Sequence, residues 1–165
     1  MMPPAAADET TASDPRKILD LTSISTAYTI GYILNHYREP SFRGIETETG
    51  LTRPEIVTLI FLYRLEGVSA AEICAFSGHL KANVSRAVIA LSRKGLIRRT
   101  VDRGDQRRQL LYITDAGRGM HDRFMPALEA RQSAMLACLN ERERAQFDRL
   151  LRKLAAHVPD WARED

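Results

Sequence analysis

The residues of this 165-residue chain that are best suited to binding chemistry are basic and lie close together. Between Lys81 and Arg108 there are nine basic residues and two acidic ones, a local formal charge of +7, whereas the whole chain carries +3. Positive charge concentrated in one segment is typical of a surface that meets the phosphates of a nucleic acid. We therefore predict double-stranded DNA as the partner.

The most characteristic part of this segment is a charged turn of seven residues, Asp102 to Arg108. It lies between two short runs that favour β-strands, 96–101 and 109–113, and Gly104 suits the tip of such a turn. Two strands joined by a basic turn, placed after two helices, are typical of the wing of a winged helix-turn-helix. The pattern thus predicts a DNA-binding wing.

Helices must position these residues, and their starts are marked by capping signals. Thr52/Glu55, Ser69/Glu72 and Asn140/Glu143 each place a capping side chain three residues before a Glu, which is the pattern of a capping box. Val68 is expected to add a brief strand, and 38–51 to form a loop. The predicted helices span 15–37, 53–66, 69–76, 81–94, 115–139 and 141–158.

We predict a mainly α-helical fold with a small β wing of two or three strands. The first helix has more apolar positions than one buried stripe needs, which favours burial against a second subunit. The segments expected are a flexible tail (1–14), an N-terminal dimerisation helix and loop (15–50), the winged helix-turn-helix (51–114), C-terminal dimerisation helices (115–158) and a C-terminal tail (159–165).

Four segments together resemble the MarR family of bacterial transcriptional regulators, within a match that extends over about 15–157. These segments are 81–86, 91–97, 102–107 and 111–118, and the wing turn followed by a strand and Thr-x-x-Gly is the most specific of them. The resemblance implies a homodimer built from the terminal helices. It also implies a recognition helix in the major groove, a wing at the minor groove and, most commonly, a ligand-responsive repressor. His79 and Leu80 depart from the family, which usually has a capping side chain before the recognition helix.

The candidate DNA-binding residues belong to the recognition helix and the wing. Val84, Val88 and Leu91 share one helix face and should point inward, so the opposite face is left for DNA. Asp102 and Asp105 are expected to stabilise the wing by pairing with nearby arginines. The DNA-binding candidates are Lys81, Asn83, Ser85, Arg86, Arg99, Arg103 and Arg107.

A small aromatic or anionic effector is a further implication of the resemblance. Its candidate contacts are Tyr28, Tyr32, His36 and Tyr63, expected in a cleft between the first two helices and the DNA-binding lobe. An aromatic stripe at helical spacing is more often part of a core or a dimer interface, so that alternative stays open.

Other classes of function receive little support from the sequence. No phosphate-binding glycine motif or metal-ligand spacing is present, the four histidines are scattered singly, and nothing marks a nucleophile; we expect no enzyme, catalytic residue, metal or cofactor. Residues 1–14 lack a basic cluster followed by an apolar stretch, so we expect a cytoplasmic bacterial protein, on the nucleoid when bound. A thiol-based redox regulator using Cys74 or Cys138, and a winged helix that binds another protein, remain alternatives.

Overall fold

The computed structural model describes residues 22–162, and its contacts divide the chain into two compact units, with the division after Pro40. The fold is mainly helical with one two-stranded antiparallel sheet, as predicted. The elements are α1 (Ser25–Thr49), α2 (Arg53–Arg64), α3 (Ala70–Ser77), α4 (Lys81–Arg93), β1 (Ile97–Val101), β2 (Gln109–Ile113), α5 (Asp115–Met135), α6 (Glu141–Ala156) and α7 (Val158–Trp161).

Helix α1 differs from the prediction at both ends. The predicted tail 1–14 and residues 15–21 lie outside the described part, and the helix begins only at Ser25. The loop predicted for 38–51 is wrong, because α1 continues through Pro40 to Thr49. Burial of Ser41 and Ile45 on its last turns favours the helical continuation. The helix ends where Gly50 adopts a positive φ of 66°, a conformation that glycine tolerates best.

Capping and apolar spacing account for the helix-turn-helix. The capping boxes at Thr52/Glu55 and Ser69/Glu72 open α2 and α3 as predicted. Gly78, with a φ of 65°, ends α3 in the left-handed conformation. The inward residues of α4 join one core with α2, α3, the sheet and α5. Its fully buried members include Leu59, Leu62, Ile73, Val84, Leu91, Leu111 and Phe124.

The sheet pairs Ile97 with Ile113 and Val101 with Gln109, and an isolated bridge from Val68 to Leu111 adds the predicted third strand segment. The base of the sheet packs closely on α5. A Cβ atom at Gly117 would lie 2.1 Å from the carbonyl oxygen of Leu96. Only glycine therefore allows this close approach between α5 and the residue before β1.

The C-terminal helices also depart from the prediction in detail. Helix α5 starts after Thr114, whose side chain accepts a hydrogen bond from the Gly117 N–H, and it includes Pro126 but ends at Met135 rather than 139. Pro159 does not begin a tail, because it lies in the first turn of α7, a position that proline tolerates. Within residues 22–162, no helix has the length and apolar character needed to cross a membrane.

Candidate nucleic-acid interface

Helix α4 has one apolar face and one exposed face. Val84, Val88 and Leu91 are buried as predicted. Lys81, Ser85 and Arg86 are exposed, whereas Asn83 is half-buried. The helix contains no acidic residue. Besides Ile89, its free face therefore presents cations and short polar side chains, the groups that bind base edges and phosphates.

Asn83 and Arg86 are linked on this surface. The Arg86 guanidinium donates a hydrogen bond to the side-chain oxygen of Asn83 over 2.7 Å. A guanidinium held on one side keeps its remaining N–H groups for a second partner, and its planar shape matches guanine O6 and N7. The pair orients Arg86 without neutralising it, because Asn83 carries no charge.

All five arginines of the wing are exposed, and Arg99, Arg103 and Arg107 are the three predicted to contact DNA. Across the part of the chain that the structure describes, none of the three forms an ion pair. Neighbouring Arg98 is different, because its guanidinium lies 4.1 Å from the centre of the Tyr112 ring. Arg99, Arg103 and Arg107 thus keep their charge available for phosphate.

Asp102 and Asp105 both act inside the wing turn. Asp102 Oδ1 accepts a hydrogen bond from the Gly104 N–H, and Asp105 Oδ1 accepts one from the Arg107 N–H, each at 2.9 Å. Asp102 also lies 3.8 Å from the Arg108 guanidinium. The two carboxylates shape the loop mainly through backbone amides, whereas we expected arginine side chains as their partners.

Arg108 connects the wing to α3, a contact that sequence reasoning missed. Its guanidinium donates to Glu72 Oε2 at 2.7 Å, and the same oxygen accepts from the Ser69 N–H and hydroxyl. These hydrogen bonds, led by those from Ser69, lower the pKa of Glu72 to about 2. Glu72 therefore both caps α3 and binds the wing through Arg108.

A second missed contact holds the far end of α4. Lys94 Nζ donates to both oxygens of Glu55 at 3.0 and 3.1 Å and to the Gly50 carbonyl at 3.0 Å. Glu55 is only 2% exposed, whereas the Lys94 side chain is 39% exposed. The capping box at Thr52 revealed the local role of Glu55, but nothing in the sequence pattern indicated its partner 39 residues away.

The effector candidates fall in both units. In the unit before Ser41, the Tyr32 and His36 rings lie 4.2 Å apart and the Tyr28 side chain is exposed. In the other unit, Tyr63 stacks on His121 with ring centres 3.7 Å apart. Tyr63 and His121 help to line a cavity of about 280 Å³ between α2 and α5; Ile60, Arg64, Asp122, Met125, Pro126 and Glu129 complete the lining.

His121 is the main residue of this cavity that the sequence reasoning did not select. It is buried, and its Nδ1 lies 3.0 Å from Asp122 Oδ1. The hydrogen bond with His121 lowers the pKa of Asp122. A single histidine on a helix gives no sequence signal, because its importance depends on Tyr63 from another helix.

Few side chains in the described part of the chain are suited to metal binding or thiol chemistry. Residues 22–162 contain no cluster of three His, Cys, Asp or Glu side chains able to hold a metal ion. Cys74 is half-buried and Cys138 is exposed, and both are free thiols.

Comparison with known proteins agrees with this geometry. The sequence profile of the MarR family matches residues 49–108, which include the helix-turn-helix and most of the wing. A solved MarR-family transcriptional regulator from Silicibacter pomeroyi is 30% identical, with a TM-score of 0.74, over 81% of this chain and 89% of that one. The chain belongs to the MarR family. The fold and the class of function, a transcriptional regulator with a winged helix-turn-helix, are those predicted.

Two further relatives of this MarR-family chain are regulators. The transcriptional regulator TtmR of Methylorubrum extorquens (strain PA1) is 28% identical over 72% of this chain, which spans only 60% of TtmR. The transcriptional repressor Rv2887 of Mycobacterium tuberculosis (strain ATCC 25618 / H37Rv) is 26% identical over 78% of this chain and 90% of Rv2887. A structure of Rv2887 in complex with p-aminosalicylic acid has a TM-score of 0.63 and 24% identity, over 78% of this chain and 97% of that one.

Proposed function

We propose that this MarR-family protein is a homodimeric repressor that binds a pseudo-palindromic operator and is released by a small aromatic or anionic effector. In this proposal Lys81, Asn83, Ser85 and Arg86 of α4 enter the major groove. The wing arginines Arg99, Arg103 and Arg107 contact phosphates, with Arg103 reaching into the minor groove. We expect no catalytic activity and a cytoplasmic location.

One observation carries the DNA-binding proposal: the exposed face of α4 and the wing, both in one compact unit, present cations that form no ion pair within residues 22–162. A winged helix that binds another protein would be expected to show an acidic or apolar recognition face. Helix α4 has no acidic residue, and although Leu80 and Ile89 are exposed, Lys81, Ser85 and Arg86 make the face mainly basic and polar. One recognition helix covers only a few base pairs. A dimer doubles the contacts, with half-sites separated by about one helical turn, roughly 10 base pairs.

The apolar stripe of α6 supports the dimer part of the proposal. Helix α6 has no buried residue, yet its apolar side chains recur at helical spacing. The exposed members of the stripe are Phe147, Leu150, Leu151 and Leu154. Such a face is costly in water unless another surface covers it, which is what dimerisation through the C-terminal helices would provide.

Fluorescence anisotropy with duplexes selected from a random pool tests DNA binding. We expect affinity to fall steeply as salt rises, because each neutralised phosphate releases counterions. Arg86→Ala should weaken operator binding by about 1 to 3 kcal/mol and relax the preference at one base pair. Failure to enrich any sequence would refute the operator proposal, and a monomer in light scattering at micromolar concentration would refute the dimer.

The effector proposal rests on the cavity beside Tyr63 and His121, whose volume of about 280 Å³ is near the lower end of ligand-pocket sizes. Arg64 on its lining offers a cation for an acid, and the relative Rv2887 has been solved with an aromatic acid. Tyr28, Tyr32 and His36, which lie before Ser41, stay effector contacts predicted from the sequence alone. A small aromatic ring matches the stacked Tyr63 and His121, and its carboxylate would have to face Arg64 and point away from Asp122 and Glu129.

Competition by p-aminosalicylate in the anisotropy assay tests the effector, with Tyr63→Leu and Tyr32→Ala as variants. We expect release of operator DNA from the unmodified protein and a weaker response in at least Tyr63→Leu. If aromatic acids and phenols leave affinity unchanged while mild oxidation releases DNA in a Cys138-dependent way, the thiol alternative replaces the ligand proposal.

A further inference from the structure

Leu80, the residue immediately before α4, is the most exposed large apolar side chain that the structure describes, at 73%. Single exposed leucines are common on protein surfaces and need no explanation by themselves. This one matters because of its position. It stands at the start of the helix that the proposed function places in the major groove.

The side chain of Leu80 has no structural role in the fold. It is the N-cap of α4 but forms no side-chain capping hydrogen bond, since a leucine has no oxygen to accept one. Its backbone carbonyl accepts from the N–H groups of Asn83 and Val84, which any residue at this position would allow. The side chain therefore contributes neither to helix capping nor to the buried core.

The surroundings of Leu80 indicate which partner its side chain would meet. Lys81, Ala82 and Arg86 are exposed on the following turns. Residues at the N-terminal end of a recognition helix contact base edges in the major groove. The thymine C5-methyl is the apolar group on those edges, and apolar groups such as alanine, the threonine methyl and phenylalanine contact it.

We propose that Leu80 contacts the C5-methyl group of a thymine in each half-site and thereby contributes to sequence specificity. This inference rests on the proposed operator binding by α4. Lys81 and Arg86 supply charge and hydrogen bonds around the same position, and Leu80 adds a preference that polar side chains cannot provide. The contact requires no rearrangement of the fold, because the side chain is already free.

Replacement of thymine by uracil removes only the methyl group and keeps every hydrogen-bonding atom of the base. We would select duplexes with the full-length protein and replace each enriched thymine by uracil in turn. At one position in each half-site we expect about a fourfold loss of affinity. That factor corresponds to about 0.8 kcal/mol for burial of one methylene-sized group.

Variants connect that loss to Leu80. Leu80→Ala should bind the thymine duplex about as weakly as the unmodified protein binds the uracil duplex, and should no longer distinguish the two. Leu80→Met should keep the distinction. Leu65→Ala, at an exposed leucine just after α2, is the matched control and should leave it unchanged. Because Leu80 is exposed, the melting temperature of Leu80→Ala should equal that of the unmodified protein.

The outcomes separate this inference from the proposed function. Specific enrichment with no sensitivity to uracil at any position would overturn the role of Leu80 and leave operator binding intact. Equal weakening of Leu80→Ala on selected and random DNA would overturn it too, because it would indicate a contact with the sugar-phosphate backbone. Absence of any enriched sequence would refute operator binding and this inference with it.

Discussion

Two glycines on one turn of α5 should respond in opposite ways to the same substitution. In a helix interior, Gly→Ala normally stabilises a protein by roughly 0.5 to 1 kcal/mol because it lowers the conformational entropy of the unfolded chain. At Gly119 a new Cβ would meet nothing within 4 Å. Gly119→Ala should therefore raise the free energy of unfolding by up to about 1 kcal/mol.

At Gly117 the same methyl group would collide with the base of the wing. It would lie 2.1 Å from the Leu96 carbonyl oxygen and 2.7 Å from Ile113 Cγ1. Overpacking costs about 1 to 3 kcal/mol. Displacement of the carbonyl also disturbs its 3.1 Å hydrogen bond from the Thr114 N–H, worth about 1 kcal/mol. After the gain in helix propensity is subtracted, Gly117→Ala should lose about 2 kcal/mol.

Urea unfolding followed by circular dichroism, at matched and varied protein concentration, measures both variants. We expect their free energies of unfolding to differ by about 3 kcal/mol and operator affinity to fall only in Gly117→Ala. The slope against urea should stay unchanged, since the surface exposed on unfolding is the same. If Gly117→Ala is as stable as Gly119→Ala, the close packing of α5 on the wing is refuted.

Three further predictions concern the contacts that hold α4 and the wing. Lys94→Met should lower the free energy of unfolding by about 1 to 2 kcal/mol, because it removes a charged hydrogen bond from buried Glu55. In urea unfolding this loss should exceed that of the control Arg93→Met at an exposed residue. Equal losses in the two variants would contradict the pairing of Lys94 with Glu55. The folded-state pKa of Glu72, about 2, is below the ordinary value of 4.5, so its stabilising effect is present above pH 4.5 and is lost as pH falls towards 2. An NMR midpoint near 4.5 in the folded protein would contradict the hydrogen bonds from Ser69 and Arg108 together, and an unchanged midpoint in Arg108→Met would contradict the contribution of Arg108. Asp105→Ala should weaken operator binding although it removes a negative charge, since the bond to the Arg107 N–H shapes the turn; tighter binding in the anisotropy assay would show that this shaping is unimportant.

Local signals predicted much of this fold. The capping boxes at Thr52, Ser69 and Asn140 open helices as expected, and the charged turn between two strands forms the wing. A cap depends on residues three positions apart, so its residues are adjacent in sequence as well as in space. The sequence did not predict the extension of α1 beyond Pro40, because this extension depends on burial of Ser41 and Ile45. Such burial results from tertiary packing and not from a local sequence signal.

The residues of the candidate site could be predicted from the sequence, but the contacts between their side chains could not. The exposed cations of α4 and the wing follow from helical spacing and local charge. The bond of Arg108 to Glu72 joins residues 36 apart, and Tyr63 meets His121 across two helices. Such pairs form only when the core has brought their elements together, and a single sequence contains no periodicity that indicates them.

The observed contacts of the wing and α4 favour regulation by rigid-body movement over melting of the DNA-binding elements. Lys94 ties the end of α4 to Glu55, and Arg108 ties the wing to Glu72. The first residues of α4, by contrast, are exposed and available to DNA. A DNA-binding surface that is already ordered loses little conformational entropy when it binds. The proposed effector would therefore release DNA more effectively by changing the distance between the two recognition helices of the proposed dimer. A coupling of about 1 to 3 kcal/mol suffices for that. Hydrogen exchange of the 97–113 amides should therefore be equally slow with and without effector, and faster exchange with effector would indicate that the wing itself unfolds.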